Sequence, residues 1–187
     1  MATIAHGTGS VSAPVPRTAA RTVAGTKEAA TRYVMAGLRL SLGWVFLWAF
    51  LDKLFGLGHE TTPKGAWING GNPTKGFLSH AEGPFAGFYK SLAGDAWVNW
   101  LFMLALAAVG VALIAGIGMH IGAVAGGVLL VMMWSAVLPP ANNVFMDDHL
   151  IYAGVLATLA LTGAGSTLGL GRWWARVPFV ARNPWLK

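Results

Sequence analysis

The chain has 187 residues and a net charge of +6, with 55% hydrophobic and only 11% charged residues. Soluble domains usually carry about 25% charged residues, so this composition excludes an ordinary soluble globular protein and leaves little chain for a second domain. Cysteine is absent, which removes disulfides, thiolate metal sites, cysteine-held iron–sulfur clusters and thiol catalysis.

Residues 1–30 are rich in Ala, Thr, Gly, Ser and Pro and lack the apolar core of a signal peptide, so they are expected to form a disordered cytoplasmic tail. A first membrane span is predicted over Tyr33–Phe55, because about 20 apolar residues at 1.5 Å each cross a 30 Å hydrocarbon core. Inside it, Arg39 either lifts its head toward the cytoplasmic headgroups or faces inward as an anion-binding group. Asp52 and Lys53 stand near its outer end.

The following loop, residues 56–95, balances Lys64, Lys75 and Lys90 against Glu60, Glu82 and Asp95, and is expected outside the cytoplasm. It is too long for a bare connection, which points to function or docking. Trp67, Phe77, Phe85, Phe88 and Tyr89, set among Gly/Pro turn signals, predict partial order ending in an amphipathic segment near Phe85–Leu92.

Spans two and three, Trp97–Ile117 and Met119–Leu138, are predicted to form a tight antiparallel hairpin. Small residues Ala108, Ala112 and Gly116 on one and Gly118, Gly122 and Gly126 on the other would allow close packing. A fourth span over His149–Leu168 repeats the device with Gly154, Thr158 and Thr162. Gly169–Leu170–Gly171 reads as a helix C-cap. Residues 171–187, with Trp173, Trp174 and Trp185 beside Arg172, Arg176, Arg182 and Lys187, read as a basic interfacial segment.

The basic surplus lies at the two ends of the chain, so it indicates membrane orientation and not nucleic-acid binding. The expected fold is all-α: a four-helix transmembrane bundle over residues 31–170, both termini cytoplasmic, with a long extracytoplasmic loop between helices one and two.

The densest polar cluster is Asn142, Asn143, Asp147, Asp148, His149 and Tyr152, at the outer mouth between spans three and four. Asp52 and Lys53 end span one at the same level, so convergence with the cluster is expected. Capping alone is an alternative reading of Asp147 and Asp148, which open a helix. His149 and Tyr152 are three apart on one helical face, where they would offer hydrogen bonds and protons to a quinone head group; amphipathic residues with wet tips are the alternative.

No metal site is expected from Asp147, Asp148 and His149, since consecutive helical residues diverge by about 100°. Haem between His120 and His149 is disfavoured because the two lie at opposite ends of their spans. Dinucleotide, phosphate-loop and nucleophile motifs are missing, and no haem, flavin or metal site is recognisable. Neither inverted repeats nor interrupted helices suggest a transporter.

Leu138–Pro139–Pro140, Asn142–Asn143 and the run Phe145-Met-Asp-Asp-His-Leu-Ile-Tyr-Ala153 resemble the DoxX/DoxD family of bacterial and archaeal membrane proteins. Trp67–Gly71, Pro73–Phe77 and Gly169–Trp174 are similar to its DoxD-like branch, and the resemblance covers roughly residues 31–187. It implies a multi-pass plasma-membrane subunit akin to the large subunit of thiosulfate:quinone oxidoreductase, which passes electrons from thiosulfate to quinone and works with a small subunit. Under that reading Asp148, His149 and Tyr152 would be catalytic. Lys53, Arg39, Asn142, Asn143, Asp52 and Asp147 would bind substrate, with Lys53 attracting an anionic donor. Quinone would be the co-substrate, and a small subunit, another redox protein or a second copy the partner. A non-catalytic scaffold or assembly partner of a redox-stress complex is the alternative.

Overall fold

The computed structural model describes the backbone of residues 17–187 and the side chains from Gly25 onward. Two units divide the chain, Met1–Thr31 and Arg32–Lys187. In the first, residues 1–16 of the expected tail lie outside the described residues. From Arg17 the chain is helical where a disordered tail was expected to residue 30. The Ala-rich sequence after Pro16 explains this, since alanine is the strongest helix former and no proline recurs before Pro63. Thr31 Oγ1 donates to the Lys27 carbonyl one turn back, at 2.9 Å.

Every described element is helical. In chain order these are α1 (Arg17–Phe55), α2 (Lys75–Ser79), α3 (Ala86–Ser91), α4 (Ala96–Ala115), α5 (Met119–Ala136), α6 (Asp148–Leu161), α7 (Gly171–Trp174) and α8 (Pro178–Arg182), with short 3-10 turns between several of them. Among the described residues three helices are long and apolar enough to cross a membrane: Gly25–Phe55 of α1, α4 and α5. The bounds of α4 and α5 fall close to the predicted second and third spans.

The helix at the predicted fourth span is shorter than expected and is not among these three. Helix α6 has 14 residues, about 21 Å at 1.5 Å each. It stops because the chain turns at Gly163 into the 3-10 turn Ala164–Ser166, where Ala164 and Gly165 are buried.

The second unit is built around Leu42 and Phe46 of α1, Met103, Leu106, Val109 and Leu113 of α4, Leu130 of α5, and Leu156 and Leu159 of α6. Leu101, Leu104, Val111, Val124 and Val128 lie exposed on the outside of α4 and α5. An apolar core inside an apolar exterior is the pattern of a helix bundle in lipid, and a large exposed apolar surface is uncommon in soluble monomers. The molecule is a membrane-associated multi-helix protein.

Small residues set the close contacts, though only partly those the sequence indicated. A Cβ on Gly122 would lie 3.6 Å from Ala112 Cβ, and one on Gly126 only 2.8 Å from Leu156 Cδ1. Gly116 and Gly118, both at positive φ, make the tight turn of the α4–α5 hairpin. Helix α1 meets α4 at two glycines that no stripe revealed: a Cβ on Gly110 would stand 2.8 Å from Leu47 N, and one on Gly43 2.9 Å from Leu113 Cβ. Helix α6 does not repeat the device. Gly154 faces open space, and the Thr158 and Thr162 hydroxyls donate to carbonyls of their own helix at 2.9 and 2.7 Å, which satisfies them without a packing partner.

The Gly169–Gly171 pair is not a C-cap either. A Cβ on Gly169 would lie 2.6 Å from Gly165 O and one on Gly171 2.9 Å from Gly116 O, so the pair lets backbone pack on backbone. Leu170 N–H donates to Ala115 O at 2.8 Å in the same knot. Beyond it the C-terminal segment folds back: Val180 is fully buried, Trp174 Nε1 donates to Leu186 O at 2.6 Å, and His120 N–H donates to Lys187 O at 3.0 Å, meeting an orphan donor at the start of α5.

Residues 56–95 form a packed layer. Leu78, Ala81 and Tyr89 cluster with Ala136 at the end of α5. Tyr89 Oη and Ser135 Oγ share a hydrogen bond of 2.5 Å. Buried Asn99 of α4 accepts from Thr74 N–H at 3.1 Å and Thr74 Oγ1 at 2.7 Å. The expected amphipathic segment is the 3-10 turn Gly83–Phe85 running into α3, with Tyr89 inward and Phe85 and Phe88 exposed.

Candidate functional site

The three candidate residues of α1, Arg39, Asp52 and Lys53, are all engaged within the fold. Arg39 is fully buried. Its Nη1 donates to Leu113 O and, at 2.9 Å, to Ile114 O. Its Nη2 donates to Thr167 O at 3.3 Å and Leu168 O at 2.8 Å. The last carbonyls of a helix have no partner within it, so Arg39 caps α4 and ties it to the segment after α6. The sequence left two positions for this side chain, among headgroups or facing an anion; the guanidinium takes neither, because four carbonyls surround it. Only Nε–H lacks a partner.

Asp52 is buried too, and its carboxylate accepts the backbone N–H groups of His59 at 3.3 Å, Glu60 at 3.1 Å and Thr61 at 2.9 Å. It staples the chain leaving α1, and the His59 ring packs edge-on against Trp48 at 5.1 Å. Lys53 pairs with Glu60 at 3.0 Å, the lysine side chain 16% and the glutamate 81% exposed. Among the described residues no hydrogen bond or ion pair joins Asp52 or Lys53 to the 142–152 cluster. The expected convergence is not made by direct contact.

The cluster itself is organised by the start of α6. Asp147 is the N-cap, with extended backbone, and its Oδ1 accepts Leu150 N–H at 3.4 Å. Its other oxygen, Oδ2, accepts from His149 Nδ1 at 2.7 Å. A carboxylate oxygen without a proton only accepts, so opposite it Nδ1 is the donor, and Nε2 has no hydrogen-bond partner among the described residues. Asp147 and His149 are 11% and 19% exposed in their side chains, so most of each is shielded from water. Asp148 stands 3.5 Å from the same Nδ1 but is 68% exposed.

Tyr152, one turn further, packs against the core, and its hydroxyl has no hydrogen-bond partner among the described residues. Asn143 Oδ1 accepts from Phe145 N and Met146 N at 3.3 Å each, shaping the turn into α6. Trp134 Nε1 holds that turn through Phe145 O at 2.6 Å. Asn142 is exposed.

Ligand atoms of Asp147, Asp148 and His149 all lie within 4.8 Å of one another. The expected divergence of about 100° per residue fails here because Asp147 is an extended cap and not a helical residue. A cation in the trio would have to displace the proton shared by His149 Nδ1 and Asp147. Chemically, the arrangement is a carboxylate-oriented imidazole with one nitrogen free to take or give a proton, and a phenol on the same helical face.

No family model matches the chain, and no curated protein or solved structure matches it.

Proposed function

We propose that the chain is the multi-pass membrane subunit of a quinone-linked redox system, with Asp147, His149 and Tyr152 handling the proton at a quinone oxygen. The observation that carries this reading is the largely buried Asp147–His149 dyad at the end of apolar helices, with Nε2 unpaired among the described residues. A quinone dissolved in lipid reaches such a rim from between helices, and the dyad offers what its oxygens need: a fixed tautomer that cycles between acceptor and donor. In this reading the chain crosses the bilayer four times, with both termini cytoplasmic and the 56–95 layer outside. The 14-residue α6 crosses with local thinning or shielding by its neighbours.

Reduction of the quinone takes two electrons and two protons. If thiosulfate is the donor, two thiosulfate ions join through a new S–S bond as tetrathionate and release those two electrons. The two cations of α1 proposed for the donor are engaged, Arg39 by carbonyls and Lys53 by Glu60, while Asp147 and Asp148 repel a dianion. These features favour oxidation of the donor on a partner subunit, with its two electrons passed to the quinone held at this one. The same consumption of Arg39, Asp52 and Lys53 also supports the second reading, a non-catalytic membrane scaffold whose exposed Ile68, Phe77, Phe85 and Phe88 dock a redox protein.

Membranes containing the protein with its co-encoded partners, assayed for thiosulfate-dependent quinone reduction, separate the two. His149→Ala lowers turnover by about 100-fold, the lower range of general acid–base catalysis, whereas exposed Asp148→Asn changes it by less than about threefold. Wild-type turnover in His149→Ala, or no turnover in wild type with every partner present, would favour the scaffold.

A further inference from the structure

Beyond the C-terminus of α6, Arg32 and Tyr33 of α1 together with Ser166, Thr167 and Arg172 line an open surface cavity of about 290 Å³. Its lining is that of an oxyanion site: two guanidiniums, three hydroxyl-bearing side chains and no carboxylate. Arginine presents its N–H groups as a planar fork that matches phosphate oxygens in pairs.

The walls are fixed from behind. Arg172 Nε donates to Ser166 O at 2.9 Å, which anchors the root of that side chain; its terminal nitrogens have no hydrogen-bond partner among the described residues. Thr167 O is held by buried Arg39 at 3.3 Å. Arg32 forms no hydrogen bond or ion pair among the described residues, so two unneutralised cations border one cavity, an arrangement that a bound anion relieves. Exposed Tyr33 and Trp173 stand in the same two segments, residue types that settle at headgroup level. The volume is near the lower end of ligand sites, which run about 300–1,000 Å³; it suits a phosphate with a short polar substituent.

We propose that this cavity binds a phosphate group, carried either by an anionic phospholipid or by a free phosphate compound. Nothing in the assignment depends on the dyad. The full-length protein in a neutral detergent would be titrated with phosphatidylglycerol and, separately, with inorganic phosphate, as wild type and as Arg32→Gln, Arg172→Gln and Arg176→Gln. The last removes the same charge outside the cavity.

Each cavity substitution should weaken binding about tenfold or more, as loss of a charge-assisted contact does, and Arg176→Gln by no more than about threefold. Arg32→Gln breaks no hydrogen bond of the fold, so its effect reads binding even if Arg172→Gln lowers stability. Saturable binding of phosphatidylglycerol alone with this pattern identifies a lipid headgroup, and saturable inorganic phosphate with the same pattern identifies a free phosphate. Equal effects of all three substitutions, or no saturable binding of either probe, would overturn the assignment.

Discussion

Arg39 and His149 are both polar side chains set among apolar helices, one beside the C-terminus of α4 and the other at the N-terminus of α6. They differ in what their partners leave over. Both terminal nitrogens of Arg39 are taken up by backbone carbonyls from two distant segments, so its charge is spent on closing helix ends. His149 has one nitrogen held by Asp147 and the other without a hydrogen-bond partner among the described residues, so that second nitrogen remains available for proton exchange. A buried polar group whose terminal atoms are all engaged serves the fold, whereas one fixed at a single atom is prepared for chemistry.

The sharpest way to break the comparison is Arg39→Leu. It strips the donor from four carbonyls, one buried and three part-buried, and should lower stability by about 3 kcal/mol, read as a fall in the Tm of the detergent-solubilised protein. A Tm close to wild type would return Arg39 to the candidate site. Asp52→Ala comes next. Three backbone N–H groups lose their acceptor, at a cost of about 2 kcal/mol, with faster hydrogen exchange confined to residues 59–61.

Asp147→Asn has a smaller effect but separates two roles. Asparagine caps a helix about as well as aspartate, so stability should change by less than about 0.5 kcal/mol. Loss of the carboxylate that orients the imidazole should cut quinone reduction about tenfold or more. A loss of stability without a loss of turnover would make Asp147 a cap only. The smallest effect belongs to Lys53→Ala: its partner Glu60 is 81% exposed, and such pairs contribute about 0.5 kcal/mol or less.

The sequence displayed the long apolar helices because composition and span length are local properties. It also displayed Asp147 as a possible cap, since aspartate before an apolar run is a local signal. Arg39 was misplaced because its acceptors lie 74 to 129 residues away, and carbonyls carry no residue-type signature. Asp52 acts on its own chain seven to nine residues on, but its partners are backbone N–H groups, equally invisible.

Glycines misled in both directions. Gly154 sits in a small-residue stripe and touches nothing, whereas Gly43 and Gly110 lie outside any recognised stripe and make the α1–α4 contact. The end of the fourth span was overrun because Gly163 turns the chain within a stretch that is still apolar. Hydropathy does not register a backbone turn.

The central claim concerns one imidazole, and ¹⁵N NMR of histidine-labelled protein in lipid reads it directly, with His149→Asn used to assign the signal. The account predicts protonated Nδ1 and unprotonated Nε2 for His149, with the Nε2 resonance shifting when a quinone is added. A proton on Nε2 in place of Nδ1, or an Nε2 signal indifferent to quinone, would contradict it.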